Sequence, residues 1–211
     1  MNHLVQRLQP AHRKAIARHF SRLDAEALRL RFGHALTRAA LREYVARIDF
    51  QRDALFGAFD DADRLAGVAH VARLEAAAEV GLSVLRRHRG QGIGRALLGR
   101  AATHARAIGL ERIELLCLPH NQAMARLAAA AGMTLHTVDG MTQASATLPS
   151  ATLLSVCEEL LSEEWARLDR RIRVETRALR ALWHARRETG QGISRRLARA
   201  VARPAEPVRE S

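Results

Sequence analysis

Apolar and polar positions change their spacing several times along the chain. Weak alternation before Pro10 predicts a first strand, and residues 11–48 then carry apolar side chains at helical spacing in three pieces. Thr37 precedes the third piece, at the place where a helix N-cap is expected. Over residues 54–85 the period falls to two, which predicts three consecutive strands with an Asp-rich turn between the first and the second.

Helices and strands alternate over the next part of the chain. Helical patterns over 95–109 and 119–132 each end at a glycine, and a strand is predicted between them over 110–118. Asp139-Gly140 separates two further strand-like stretches, and this dipeptide is a strong hairpin signal. The succession of elements predicts an α/β domain.

Pro149-Ser150 marks a boundary, which gives a predicted domain over 1–149 and an extension over 150–211. Apolar residues at spacings of three and four predict one long helix over 152–187, followed by a short amphipathic piece and a disordered tail. The apolar seam of this helix is broken at Glu175, so a continuous coiled coil is not expected. The helix is longer than the core needs, and a homodimer formed through it is one expectation.

Composition narrows the classes of function. The net charge is +12, but the basic residues are interleaved with acidic ones, which argues against nucleic acid as the main partner. Two cysteines without paired spacing fit a reducing cytoplasm, and none of the histidines forms a metalloprotease-type pair, so no metal site is expected. No apolar run approaches the ~20 residues that span a bilayer, and the N-terminus lacks a secretory signal, so we expect a cytoplasmic protein without a membrane partner.

Two glycine-rich stretches share the tetrapeptide Gly-Gln-Gly-Ile, one at 89–94 and the other at 189–194. The first follows a strand and opens a helix, where backbone N–H groups are unpaired and the helix dipole is positive. Its glycines let a diphosphate approach without Cβ clashes, and Arg87, Arg89 and Arg95 add positive charge. We therefore predict a diphosphate cradle at the first copy. The second copy follows a helix and is interpreted as a helix stop.

The first copy differs from two common phosphate-binding loops. The Gly-Lys-Ser/Thr of a P-loop is missing, and the third glycine of a dinucleotide-binding loop would fall at Leu97. Residues 89–94 instead fit the Arg/Gln-x-x-Gly-x-Gly/Ala signature of the GNAT superfamily of acyl-CoA N-acyltransferases, which the chain resembles. A downstream segment is similar to a second conserved segment of that family, with Asn121, Leu127, Gly132 and Met133 in register.

The resemblance is firm over residues 52–148. It implies the GNAT fold, a mixed and mostly antiparallel sheet with helices on both faces, here with a C-terminal helical extension. It also implies a bacterial N-acetyltransferase that uses acetyl-CoA as cosubstrate and no metal. Backbone N–H groups of the loop would hold the pyrophosphate, and the strand ending near Val84 would splay from its neighbour and pair with the pantetheine amides. The implied cosubstrate-binding residues are Val84, Arg89, Gly90, Gly92, Ile93, Gly94, Arg95 and Asn121.

The chemistry needs a base, because an ammonium must lose a proton before it attacks a thioester. Members of the family often carry a glutamate on the strand that precedes the loop, and Glu79 stands there. Alternation places Glu79, Gly81 and Ser83 on one face of this strand. Glu79 is therefore the predicted catalytic base, and a solvated edge carboxylate is the alternative interpretation. Glu75 and His70 are weaker candidates for the base.

The position of the general acid departs from the family pattern. Many members carry a tyrosine where this chain has Ala128, and the only tyrosine, Tyr44, lies far upstream. The thiolate would then be protonated by water, by Ser83 or by another group, or would leave unprotonated. Cys117 is predicted to be a buried strand residue and not a nucleophile.

Three functions stay open at this point. The first is an N-acetyltransferase that acts on a primary amine, either of a small molecule or of a protein lysine, by direct attack in a ternary complex. The second is a non-catalytic module that binds acyl-CoA, and the third is an interaction protein built around the long helix. A weaker resemblance of residues 21–33 and 78–94 to the GNAT domains of bacterial protein lysine acetyltransferases bears only on the acceptor, which no motif identifies.

Overall fold

The computed structural model describes residues 3–152 and Leu161. Apart from Leu161, the predicted long helix, the second glycine-rich copy and the tail lie outside the described residues. The predicted homodimer contact lies outside them as well. None of the described helices is long and apolar enough to cross a membrane.

Residues 3–152 form seven strands, five α-helices and two single turns of 3-10 helix. The strands are β1 Val5–Leu8, β2 Ala54–Phe59, β3 Leu65–Arg73, β4 Ala77–Val84, β5 Arg112–Cys117, β6 Thr134–Val138 and β7 Met141–Thr147. The α-helices are α1 Arg13–Ser21, α2 Ala25–Phe32, α3 Arg38–Arg47, α4 Ile93–Ala107 and α5 Gln122–Ala130. The 3-10 turns are Pro10–His12 and Arg86–His88. The elements predicted over 1–149 are confirmed.

All seven strands join in one sheet, in the order β1-β2-β3-β4-β5-β7-β6. Every neighbouring pair is antiparallel except β4 and β5, which are parallel, so the predicted mixed and mostly antiparallel sheet is confirmed. The pairing of β4 with β5 covers only Ala77–Glu79 against Arg112–Glu114. β4 continues to Val84 without a partner on that side, and this leaves a gap between the two strands.

Helices cover both faces of the sheet, as predicted. On one face α4 and α5 pack on side chains such as Phe56 and Val80, and Leu97 of α4 is fully buried there. On the other face α1, α2 and α3 pack on Leu55 and Val68. Neighbouring residues of one strand enter different cores because strand side chains alternate between the two faces.

Local signals account for several element ends. The Thr37 hydroxyl accepts a hydrogen bond of 3.1 Å from the Ala40 N–H and caps α3, as its position predicts. Asp139 and Gly140 both have positive φ, 49° and 73°, which is the backbone of a tight hairpin turn, and they join β6 to β7. The chain leaves α4 through Gly109, whose φ of 77° is the left-handed conformation that glycine favours.

A buried histidine ties α1 to the sheet. The ring of His19 is 1% exposed and lies 3.1 Å from the Leu65 carbonyl oxygen through Nδ1 and 2.9 Å from the Ser83 hydroxyl through Nε2. A carbonyl oxygen only accepts, so Nδ1 carries the proton and the Ser83 hydroxyl donates to Nε2. Burial lowers the pKa of His19 from 6.5 to about 4, and the nearby Arg22 charge acts in the same direction.

This histidine should make the protein less stable in mild acid. The pKa of His19 is lower in the folded chain than in the unfolded one, so its contribution to stability is complete above pH 6.5 and is lost as the pH falls towards 4. The free energy of unfolding should fall by about 2 kcal/mol between pH 7.5 and 5 from this group alone, and by about 3 kcal/mol by pH 4. Urea titrations across this range measure the loss. His19→Gln should remove this share of the pH dependence, while His34→Gln, at an exposed histidine, should keep it; equal slopes for wild type and His19→Gln would assign the effect to other groups.

Candidate functional site

The glycine-rich loop between β4 and α4 has the geometry of an anion cradle. After the turn at Arg86–His88 the backbone extends at Arg89 and then passes through Gly90 and Gly92, whose φ values are 74° and 84°. α4 begins directly after Gly92, and its first internal hydrogen bond runs from the Ala96 N–H to the Gly92 oxygen at 3.0 Å. The N–H groups of the first turn are therefore left without partners inside the helix.

Both glycines are required by their backbone conformation and not by crowding. A Cβ atom at Gly90 would meet nothing within 4 Å, and one at Gly92 would meet only the edge of the His3 ring at 3.9 Å. The loop is thus open to a ligand from outside. Gly94 differs, because a Cβ there would be in ordinary van der Waals contact with Leu127 of α5, 3.4 Å away.

The free edge of β4 presents unpaired peptide groups beside this loop. The Leu85 N–H donates to the Ala66 oxygen at 2.9 Å, which fixes the phase of the ladder with β3. In an antiparallel ladder alternate residues turn their peptide groups away from the partner strand. Leu82 and Val84 therefore direct theirs into the gap left by β5. The Arg89 Nε donates to the Val84 oxygen at 3.2 Å, and the other peptide groups of these two residues face the gap without a ladder partner.

Loop, strand edge and the start of α5 enclose one pocket of about 310 Å³. All eight residues predicted to bind the cosubstrate line it: Val84, Arg89, Gly90, Gly92, Ile93, Gly94, Arg95 and Asn121. The structure thus brings them together, although their binding role stays a prediction. The third predicted arginine, Arg87, does not line the pocket and pairs with Asp60 at 3.1 Å. The remaining lining is mostly apolar and comes from α2, α5, the segment before α2, Leu82 and Ser83 of β4, and His88 of the turn before the loop.

Two residues of the downstream segment have structural roles. The Asn121 Oδ1 accepts a 3.1 Å hydrogen bond from the Met124 N–H and caps α5, and its amide N–H₂ is the group that could donate to a ligand. Ala128 is fully buried in the core and is not among the residues that line the pocket. The tyrosine position of the family is therefore occupied by a packing residue in this chain.

The candidate bases lie apart from the cradle. Glu79 is exposed on β4, five residues before Val84, on the face that α1–α3 cover. It does not line the pocket, and its catalytic role stays a prediction. Glu75 lies in the exposed turn between β3 and β4, at the end of β4 far from the loop.

Ser83 and Cys117, the two other reactive side chains considered from the sequence, are both buried. The Ser83 hydroxyl is held by His19, and its proton points to that ring. Cys117 is 3% exposed at the end of β5, and burial raises the pKa of its thiol. The prediction of a buried strand cysteine is confirmed.

A polar network that could not be predicted from the sequence lies next to Glu79. The Arg31 Nη2 lies 3.3 Å from the Tyr44 hydroxyl, which lies 2.6 Å from Nδ1 of His70, and Nε2 of His70 lies 2.8 Å from Asp53. Glu79 interacts electrostatically with Arg31, Tyr44 and His70. Tyr44 is the only tyrosine of the sequence, which was the one available signal. Its partners Arg31 and His70 come from α2 and β3, and Asp53, which bonds to His70, directly precedes β2.

The hydrogen bonds of this network run in one direction. The Asp53 carboxylate accepts from His70 Nε2–H, so Nδ1 is the acceptor of the Tyr44 O–H, and the phenol oxygen accepts from Arg31. Burial lowers the pKa of His70, although Asp53 acts against this, and it also raises the pKa of Tyr44. Both groups are therefore neutral near pH 7. His70 is fixed between two partners, which makes it a poor base for a substrate.

The described residues contain no group of three or more His, Cys, Asp or Glu side chains that could hold a metal ion. The described part of the chain therefore offers an open loop with two arginines at the pocket and an exposed carboxylate, Glu79, beside the polar network.

Comparison with known proteins gives a family and a fold. The model of the acetyltransferase (GNAT) family matches residues 20–133, more than half of the chain. The chain is similar to the GNAT domain of S. lividans PAT, with 22% identity and a TM-score of 0.60 over 68% of this chain and 89% of that one. It is also similar to a phosphinothricin acetyltransferase from Sinorhizobium meliloti in complex with AcCoA, with 18% identity and a TM-score of 0.58 over 72% and 91% of the two chains.

A third similar structure is the ribosomal-protein-S5-alanine acetyltransferase from Vibrio fischeri, with 17% identity and a TM-score of 0.57 over 72% of this chain and 96% of that one. At such identities the likeness concerns the fold alone. No curated protein matches the sequence.

Proposed function

The chain belongs to the GNAT family of acetyltransferases and is an enzyme of the N-acetyltransferase type, and on this premise we propose that it transfers acetyl from acetyl-CoA to a primary amine by direct attack in a ternary complex. The proposal rests on three structural features that line the same pocket. These are the open loop at Gly90–Gly92, the first turn of α4 and the unpaired edge of β4.

The loop and the helix start suit the pyrophosphate of acetyl-CoA. Free N–H groups and the positive end of the helix dipole favour an anion. Arg89 and Arg95 line the same pocket and add two positive charges. The Arg89 side chain would have to exchange its bond to the Val84 oxygen for one to phosphate.

The edge of β4 suits the pantetheine arm. The arm carries two amides, and the Leu82 and Val84 peptide groups in the gap can pair with them as a neighbouring strand would. The mostly apolar lining from α5, including Met124 and Leu127, suits the methylene groups between these amides. The parting of β4 and β5 therefore provides room for the cosubstrate.

Glu79 is the proposed base. It takes one proton from the acceptor ammonium, and the neutral nitrogen then attacks the carbonyl carbon of the thioester. The new C–N bond forms, the C–S bond breaks, and its electron pair leaves with the sulfur. The second proton lost by the nitrogen goes through water to the thiolate, because Ala128 offers no proton and the Ser83 hydroxyl is engaged with His19.

The test is to titrate acetyl-CoA into the full chain by calorimetry and then to measure thiol release with a panel of amines and lysine peptides. We expect a Kd of roughly 1–100 µM and release that depends on an added amine. Binding without release on any amine would overturn the proposed transfer and leave an acyl-CoA-binding module. No binding would overturn the cosubstrate as well.

A further inference from the structure

Arg31 connects the cosubstrate pocket with the polar network. It lies on α2, lines the pocket and reaches Tyr44 with Nη2. Its guanidinium rests directly on Gly81 of β4, since a Cβ atom at Gly81 would fall 2.0 Å from the Cζ of Arg31. The missing side chain at Gly81 therefore creates the place for this group, about 10 Å along the strand from Val84.

The guanidinium has fewer partners than its donors require. Its Nε is buried without a hydrogen-bond partner, and within residues 3–152 its one hydrogen bond is the 3.3 Å contact of Nη2 with Tyr44. Among the described residues no carboxylate lies within ion-pair distance of it, and Glu79 acts on it only from further away. A partly buried cation whose Nε is shielded from water and has no anion beside it is costly. A planar fork of N–H donors is the group that binds a carboxylate in two places at once.

Glu79 and a cation that has no carboxylate partner among the described residues therefore lie side by side on one face of β4. The Arg31 guanidinium also lies over the Phe32 ring, 4.8 Å from its centroid. Glu79 and Gly81 are two residues apart, so their Cα atoms are separated by about 7 Å. A molecule that carries an ammonium and a carboxylate close together can place the first at Glu79 and the second at Arg31. A plain amine or a lysine side chain would leave the guanidinium unpaired.

We propose that Arg31 binds a carboxylate of the acceptor, and that the acceptor is a zwitterion of the α-amino acid type. This rests on the function proposed above, because it places the amine at Glu79 and the thioester at the edge of β4. Arg31 is then the residue that selects the acceptor, while Tyr44, held by His70 and Asp53, fixes the guanidinium over Gly81.

The test compares free L-amino acids with their carboxamides, and with a lysine peptide, as acceptors of the full-length enzyme with acetyl-CoA. Free acids should be preferred by roughly 10–100-fold in kcat/KM, the size of a charged hydrogen-bonded contact. Arg31→Gln should remove the preference by raising KM for the acids and leaving KM for the carboxamides unchanged. Arg29→Gln, on an exposed side chain of the same helix, is the matched control and should keep the preference.

Gly81→Ala provides a second variant that keeps the charge of Arg31 and moves its head group. Like Arg31→Gln, it should raise KM for the free acids relative to the carboxamides. Thermal unfolding shows whether the variant is folded. Thiol release with carboxamides or peptides but no preference for acids would overturn this inference and leave the amine transfer intact.

Three further outcomes would also decide the question. If Arg31→Gln lowered kcat equally for acids and carboxamides, the guanidinium would act on the acetyl group of the cosubstrate and not on an acceptor carboxylate, which would overturn the inference. A preference for malonyl-CoA over acetyl-CoA that Arg31→Gln removes would place the carboxylate in the donor. Acetyl-CoA binding without release on any free acid would likewise overturn it, whereas a failure to bind acetyl-CoA at all would be a failure of the proposed function.

Discussion

Gly92→Glu is expected to abolish acetyl-CoA binding while leaving the protein folded. The new carboxylate would stand at the mouth of the cradle, beside the free N–H groups of the first turn of α4. Two like charges 4 Å apart near a protein surface repel by about 4 kcal/mol, so the Kd should rise by roughly 100- to 1,000-fold. The φ of 84° at this position adds about 1 kcal/mol of strain for any residue with a Cβ. Calorimetric titration measures the first effect and thermal unfolding the second.

Gly109→Glu is the matched control for this variant. Gly109 is also in the left-handed region, at φ 77°, and a Cβ there would meet nothing within 4 Å, but it lies at the opposite end of α4. It reproduces the strain and the charge without touching the pocket, and should bind acetyl-CoA like the wild type. Gly92→Ala separates strain from charge and should retain most of the affinity. If Gly92→Glu bound acetyl-CoA as tightly as Gly109→Glu, the cradle would not be at this loop.

Glu79→Gln should lower kcat by roughly 100- to 10,000-fold, the usual share of a positioned base. The glutamine keeps the size and polarity of the side chain but cannot take the proton from the ammonium. Glu79 does not line the pocket, so the Kd of acetyl-CoA should stay within about twofold of the wild-type value. Steady-state thiol release with the best amine of the panel gives kcat, and calorimetry gives Kd.

Glu75→Gln supplies the comparison, since it removes an exposed carboxylate four residues earlier in the neighbouring turn. It should leave kcat unchanged. A full rate in Glu79→Gln would mean that Glu79 is the solvated edge carboxylate that the sequence also allowed. The proton would then have to leave through another group on that face or directly to water.

The cradle could be predicted from the sequence because its parts are contiguous. Residues 89–94 supply the turn, the charge and the helix start within one short stretch, and glycine at 90 and 92 signals the positive φ that the structure shows. The hairpin at Asp139-Gly140 and the cap at Thr37 are local in the same sense. Each depends on the backbone preferences of a few neighbouring residues.

The network around Arg31 could not be found in this way. Tyr44 and His70 are 26 residues apart, and Asp53 reaches the same place from the start of β2. Nothing in the spacing of these residues predicts that the Tyr44 side chain of α3 meets His70 of β3. Ala128 shows a different limit of sequence reasoning. The family resemblance of its segment suggested a position near the reacting groups, but the structure places this side chain in the hydrophobic core.

Because β4 and β5 pair over only a few residues, the sheet consists of two halves that are weakly joined by hydrogen bonds. Strands β1–β4 come from residues 5–84 and strands β5–β7 from residues 112–147, so each half is continuous in sequence apart from its own connections. Three residue pairs at Ala77–Glu79 form the seam between the halves, and helices α4 and α5 bridge it from one side. Partial opening should begin at this seam, where the fewest hydrogen bonds must break. A cosubstrate bound in the gap would then contact both halves and make them unfold as one cooperative unit.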